Sequence, residues 1–186
     1  MPRVVSGKAR GIILDTPKGL KTRPTADKVK EAVFNILANQ LYGARFLDVF
    51  AGSGQIGIEA LSRGAESAVF FDHDKECVHL INSNLKKAGL NGNAKVMQTE
   101  AKNGIMRLEP GIPFDIVYMD PPYDCALSLF RQAAMLLFQQ KLLAGSAVVI
   151  LEHRANDVPD AIVMNLQLKR SCKYGTVMIS FYDRMY

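Results

Sequence analysis

Arg45-Phe-Leu-Asp-Val-Phe-Ala-Gly52-Ser-Gly54-Gln-Ile-Gly57-Ile-Glu-Ala-Leu-Ser-Arg63-Gly64 decides the fold. An apolar run of strand length ends near Phe50, a glycine-rich turn follows, and a helical segment runs on to a glycine stop. That order opens an α/β protein whose ligand lies at the ends of its strands. Gly52 and Gly54 let the backbone come close to a ligand, and the helix after them offers its N-terminus to a polar or anionic group. The Gly52-x-Gly54-x-x-Gly57 spacing also fits a nicotinamide dinucleotide fingerprint, so the loop alone does not choose a ligand.

The next segments extend the pattern. Ser67-Ala-Val-Phe-Phe-Asp72-His73-Asp74 is a second strand ending in acids, 18 residues after Gly54. A carboxylate there can accept both hydroxyls of a ribose. Asp72 takes that role, and Asp74 caps the helix that starts near Lys75. A third strand, Ala94–Gln98, leads into Thr99-Glu100-Ala101, where Glu100 can reach an adenine amine.

A fourth apolar run, Phe114–Met119, ends in Asp120-Pro121-Pro122-Tyr123. Prolines fix φ and lack an N–H, so they stop the strand and leave stiff carbonyls available as acceptors. The product is a rigid rim with a carboxylate, carbonyls and an aromatic ring, which suits methylation of an exocyclic base amine. Asp120 and the Pro121 carbonyl can accept from the amine's N–H groups and so stabilise its developing positive charge. Tyr123 can stack on a flipped base. A nicotinamide reading leaves this rim without a role. An S-adenosylmethionine reading uses all four strand ends, with Asp48 near the methionine end, the glycine turn beneath it and Asp72 on the ribose. The donor-binding candidates are Asp48, Phe50, Ala51, Gly52, Ser53, Gly54, Asp72, His73, Glu100 and Ala101. The rim itself suits adenine N6, cytosine N4 and guanine N2 equally.

The chain has 186 residues, 48% of them hydrophobic, enough for one substantial core and too few for two full domains. No apolar run approaches the roughly 18 residues of a membrane span, and no signal peptide is evident, so a cytoplasmic protein is expected. Cys77, Cys125 and Cys172 are scattered without Cys-x-x-Cys spacing, which suggests neither a metal site nor disulfides. His153 has no partner in the pattern and is expected to be structural.

Charge is unevenly distributed. Residues 1–30 hold eight bases (Arg3, Lys8, Arg10, Lys18, Lys21, Arg23, Lys28, Lys30) against Asp15 and Asp27, a net +6. The whole chain carries +5, so the other 156 residues carry −1. The arm therefore reads as a phosphate-contacting extension. Val4-Val5 and Ile12-Ile13-Leu14 predict a small hairpin in it. A helix capped by Thr25 follows, with Val29, Ala32, Val33, Ile36 and Leu37 on its buried face. Beyond the rim, residues 126–140 predict a helix and 145–152 a buried strand. Val158–Lys169 and Thr176–Tyr182 predict a hairpin closed near Lys173-Tyr174-Gly175. These segments sum to a doubly wound α/β sheet of seven strands, mostly parallel, with a C-terminal antiparallel hairpin and a small N-terminal hairpin and helix.

Several segments together carry a family likeness. They are Arg10-Gly11, the run from Leu20 through Arg23-Pro24-Thr25 to Phe34-Asn35, Leu47–Gly54 with Gly57–Gly64, Asp120–Tyr123, and Lys173-Tyr-Gly175-Thr. In these the chain resembles, over nearly its whole length, the bacterial methyltransferases that modify a guanine N2 in 16S ribosomal RNA. Lys30 stands where that family carries arginine, and Asp72 where glutamate is common. The resemblance implies a class I methyltransferase fold, S-adenosylmethionine as donor, and 16S rRNA, in the assembled 30S subunit, as substrate. It also implies a monomer without metal or membrane attachment. Residues 1–40 would form an RNA-binding extension using Arg10, Arg23, Thr25 and Lys28, and residues 41–186 the catalytic domain. A DNA adenine-N6 methyltransferase, or an RNA-binding assembly factor without turnover, remains the alternative to be tested.

Overall fold

The computed structural model describes residues 2–17 and 24–185, the side chains of residues 24–27 excepted. The expectations for Arg23 and for the Thr25 side chain lie outside those described. The chain divides into two compact units, Met1–Glu100 and Ala101–Tyr186.

The first unit holds helices α1 (Pro24–Ile36) and α2 (Ala38–Leu41), strand β1 (Arg45–Asp48), helix α3 (Gln55–Ser62), strand β2 (Ser67–Asp72), helix α4 (Lys75–Ala88) and strand β3 (Ala94–Gln98). Both pairings are parallel, with Asp48 opposite Phe70 and Asp72 opposite Gln98. β1 is shorter than predicted, because Val49 and Phe50 already turn toward the glycine loop. Asp74 caps α4 as expected, accepting the Glu76 N–H at 2.7 Å. α1 begins at Pro24, one residue before the expected cap, with proline's fixed φ in the first turn. Its buried face is also rotated: Phe34 and Lys30 are buried, whereas Ala32 and Ile36 are only half-buried. Phe34 stacks on Phe46 of β1 with centroids 6.5 Å apart. Each such aromatic removes enough apolar surface from water to stabilise the fold by about 1.5–3 kcal/mol.

The arm is a narrower hairpin than predicted. One antiparallel bridge joins Arg3 to Ile13, flanked by bonds from the Val4 N–H to the Ile12 carbonyl and the Gly11 N–H to the Val4 carbonyl. Its docking onto α3 is polar. The fully buried Glu59 accepts the N–H groups of Val5 (2.8 Å) and Ser6 (3.0 Å) and Nε of Arg63 (2.7 Å). Lys30, 1% exposed, lies 3.9 Å from the same carboxylate and donates to the Arg3 carbonyl at 2.6 Å. A buried carboxylate needs this many donors to offset its lost hydration. Gly7 touches the Ser62 carbonyl so closely that a Cβ there would stand 1.8 Å from the oxygen.

The second unit holds helix α5 (Ala101–Met106), strand β4 (Phe114–Met119), helix α6 (Ala126–Gln139) and strands β5 (Leu143–Arg154), β6 (Ile162–Val163), β7 (Leu166–Tyr174) and β8 (Val177–Arg184). β4 and β5 are parallel, and β5–β8, β8–β7 and β7–β6 are antiparallel. The terminal hairpin turns at Gly175, as predicted. Val158–Lys169, however, is not one strand: the chain reverses at Met164-Asn165, with Met164 at φ 54, and splits into β6 and the start of β7. The described residues thus hold eight strands rather than seven, within the expected mostly parallel α/β architecture. His153 is buried and structural, its Nε2 2.8 Å from Ser180 Oγ and its Nδ1 2.9 Å from the Arg154 carbonyl.

Gly57 is the tightest point between α3 and β2, since a Cβ there would meet the Phe70 ring at 2.2 Å. Gly57→Ala should therefore cost about 1–3 kcal/mol through overpacking. Denaturant melts should recover part of that loss in a Phe70→Leu background; equal losses in both backgrounds would remove the steric explanation.

Candidate active site

In the first unit the loop after β1 is pinned at both ends by carboxylates. The Gly52 N–H donates to Asp72 Oδ2 at 2.8 Å, and the Asp74 N–H donates to Oδ1 at 2.9 Å. The Gly57 N–H donates to Asp48 Oδ2 at 3.1 Å. Gly54, at φ 78, is the left-handed residue from which α3 starts. A Cβ built on Gly52 meets nothing within 4 Å, so the backbone there is open to a ligand. Asp72, its side chain 11% exposed, accepts one backbone N–H on each oxygen and has further acceptor directions to spare.

Asp48 is 1% exposed. Burial pushes its carboxyl up to about 7, with the nearby Asp72 adding to the rise and the Gly57 hydrogen bond opposing it. Gln55 Oε1, at the start of α3, is buried with no hydrogen-bond partner among the described residues. One acceptor without a donor and two carboxylates with unused acceptor capacity, beside an open glycine, fit a donor molecule that carries hydroxyls and positive charge. The residues present therefore suit S-adenosylmethionine. Phe50 is half-buried, Ala51 and Ser53 are buried, and His73 is exposed 3.7 Å from Asp72. Glu100 is exposed beyond β3, and Ala101, buried, opens α5.

Asn84 is a residue the sequence reading missed. Fully buried on α4, it donates to the carbonyls of Ser53 and Asp15 at 2.9 Å each and accepts the Asp15 N–H at 2.8 Å. It thus ties the glycine loop to the end of the arm. Its only sequence signal was an asparagine on the apolar side of a helix.

In the second unit the rim lies directly beyond β4. Asp120 is exposed, Pro121 buried, Pro122 exposed and Tyr123 half-buried at the start of a short 3-10 turn. The Pro122 carbonyl accepts the Cys125 N–H at 3.1 Å, while the expected acceptor is the carbonyl of Pro121. Glu152, which the sequence reading passed over, accepts the Tyr123 hydroxyl at 3.0 Å and the Tyr118 hydroxyl at 2.9 Å. Burial raises its carboxyl above the usual range, against the pull of those two hydrogen bonds.

On the arm, Arg3, Lys8, Arg10 and Lys28 are exposed, as a phosphate-contacting surface requires. Lys30 is the exception to the charge count, since it is consumed internally by Glu59 and the Arg3 carbonyl. Among the described residues no cluster of three or more His, Cys, Asp or Glu could hold a metal ion. No described helix is long and apolar enough to cross a membrane.

Residues 2–183 match the family described as conserved hypothetical protein 95. Ribosomal RNA small subunit methyltransferase D of Escherichia coli (strain K12) is 34% identical over 182 residues, covering 98% of this chain and 89% of its own. The protein of the same name from Haemophilus influenzae (strain ATCC 51907 / DSM 11121 / KW20 / Rd) is 32% identical over 182 residues, covering 97% and 93%. Among solved structures, yhhF from Escherichia coli matches with a TM-score of 0.85 at 32% identity, over 98% of this chain and 97% of that one.

The raised Asp48 carboxyl gives a signed pH dependence. Between its ordinary value of 3.8 and about 7 the folded state holds a proton that the unfolded state has lost. The contribution of Asp48 to stability should therefore be fully present at acid pH and fall as pH rises through that window, by at most about 4 kcal/mol. Asp48→Asn should flatten this fall. The measurement is thermal melting of both proteins from pH 5 to 8, and parallel curves would remove Asp48 as the cause.

Proposed function

The chain belongs to the conserved hypothetical protein 95 family, alongside the small-subunit ribosomal RNA methyltransferases D, and on that premise we propose that it methylates the exocyclic N2 of a guanine in 16S rRNA. The wider statement, an S-adenosylmethionine-dependent methyltransferase of small-subunit rRNA with the class I fold, follows from the family and its solved relative. Guanine N2, the assembled 30S subunit as substrate, the monomeric state and action in the cytoplasm are our reading.

The observation that carries the chemistry is the proline rim, rigid by composition and braced from behind by Glu152. When bound, S-adenosylmethionine supplies an electrophilic methyl group. The first unit's residues hold that donor: Asp72 accepts from hydroxyls, the Gly52 backbone leaves room, and Asp48 faces positive charge in its ionised form. The second unit's residues serve the acceptor. Asp120 and the Pro121 carbonyl accept from the two N–H bonds of the amine, which holds its lone pair out of conjugation with the ring. Tyr123 offers its face to the extruded base. As the amine nitrogen bonds the methyl and the S–CH3 bond breaks to leave a neutral thioether, positive charge grows at nitrogen, and the Asp120 carboxylate stabilises it until water takes the amine proton. The exposed bases of residues 1–40 grip phosphates, a role that sets no sequence preference by itself.

The deciding experiment is methyl transfer to 16S rRNA, free and in 30S particles, with nucleoside analysis of the product. N2-methylguanosine is expected; N6-methyladenine or no product would overturn the reading. Asp120→Ala should lower the single-turnover rate by roughly 10²-fold, the size seen when one aligned polar group is removed. Its affinity for S-adenosylmethionine should hardly change, because those contacts come from the first unit.

The arm makes a separate prediction. If Arg10 and Lys28 each meet a phosphate, replacing both by alanine should reduce the slope of log affinity against log salt by about 1.4–1.8. Salt titration of RNA binding reads this directly, and unchanged slopes would place the phosphate grip elsewhere.

A further inference from the structure

We infer that Glu152 is a positioning residue for base recognition, fixing the Tyr123 ring through its hydroxyl; this rests on the methyltransferase reading above. In the β4–β5 register Met119 stands opposite Leu151, so Glu152 is the next residue beyond that pair, as Asp120 is on its own strand. The carboxylate therefore stands on β5 two residues before that strand ends, just past the last β4–β5 pair and adjoining the rim. Its two oxygens are divided between two phenols, Oε2 to Tyr118 and Oε1 to Tyr123. Tyr118, 1% exposed in the core of β4, is the fixed partner, and Tyr123, half-buried beyond the prolines, is the one being placed.

The arrangement has a chemical logic. A tyrosine that stacks on a base must present one face in a set plane. Pro122 restrains the backbone before it, but the ring can still swing about its own side-chain bonds. A hydrogen bond at the far end of the ring removes that freedom. The cost is a carboxylate kept largely from water, which a purely structural position in a strand has no need to carry. Glu152 thus acts through the protein's own hydroxyls and not on the substrate directly.

The test is a double-mutant cycle on single-turnover methylation with RNA saturating. Glu152→Gln and Tyr123→Phe should each slow the step by about tenfold, the scale of a misplaced stacking partner. The double variant should be no slower than the worse single one, because both remove the same constraint. RNA affinity and S-adenosylmethionine affinity should stay within about twofold, so the effect falls on the rate. Losses that multiply, or a Glu152→Gln rate equal to wild type, would overturn the inference; multiplying losses would make Glu152 an acceptor for the substrate itself. Should Glu152→Gln fail to fold, Tyr118→Phe takes its place in the cycle, with a smaller loss and the same absence of multiplication expected. A readout independent of activity separates this inference from the proposed function. The chain has no tryptophan, so its near-ultraviolet absorbance reports tyrosine. Glu152→Gln should shift that spectrum, the shift should vanish in a Tyr118→Phe/Tyr123→Phe background, and an unchanged spectrum would sink the inference even if methylation is never observed.

Discussion

The 2.8 Å hydrogen bond from the Gly52 N–H to Asp72 joins the loop after one strand to the end of the next. It limits the conformations open to the glycines and, with the Ala51 N–H on the Phe71 carbonyl and the Gly54 N–H on the Ala51 carbonyl, sets where α3 starts. With it, and with the Gly57 N–H on Asp48, the loop becomes a rigid shelf flanked by two acids. One of those acids can keep hydroxyl-accepting directions because its backbone duty uses only part of its capacity. The other is so far from water that its charge is poorly tolerated until positive charge arrives. The same few bonds thus set both the local fold and the kind of ligand it favours.

Buried charge serves a different purpose at Glu59. That carboxylate is fully enclosed, and its donors come from the arm, from α1 and from its own helix. Removing any single donor would leave a partly unsatisfied buried charge, which costs more than the lost contact alone. The cluster therefore holds its members together cooperatively. Together with the burial of Val4, Ala9 and Leu14, this accounts for the arm lying against the body of its unit.

What was legible in the sequence had local causes. The limits of β3 and β4, the Asp74 cap and the hairpin at Gly175 follow from signals within a few residues of each site. What was illegible depended on distant partners. Lys30 reads as one more surface base until Glu59, 29 positions away, is seen beside it. Glu152 reads as the polar end of a buried strand, and only folding brings Tyr118 and Tyr123 to its two oxygens. The reversal at Met164-Asn165 carries no glycine or proline, so the strand predicted across it looked continuous. In the candidate site, the residues expected to meet a ligand stood out because chemistry restricts their types. The residues that orient them were hidden, since Asn84 and Glu152 are ordinary residues made special by what they touch.

The docking of the arm has a consequence for how such a protein can diversify. Of the groups that fasten residues 5–9 to α3, most are main-chain N–H groups: Val5 and Ser6 on Glu59, Lys8 on the Ser62 carbonyl, Ala9 on the Ser62 hydroxyl. Every amino acid except proline carries that donor. The anchor is thus nearly blind to side-chain identity, apart from the glycine that must pass close to Ser62. Exposed positions such as Lys8 and Arg10 can be rewritten to suit a different surface while the hinge between arm and body stays closed. Attachment and recognition are encoded in separate alphabets, one in the backbone and one in the side chains.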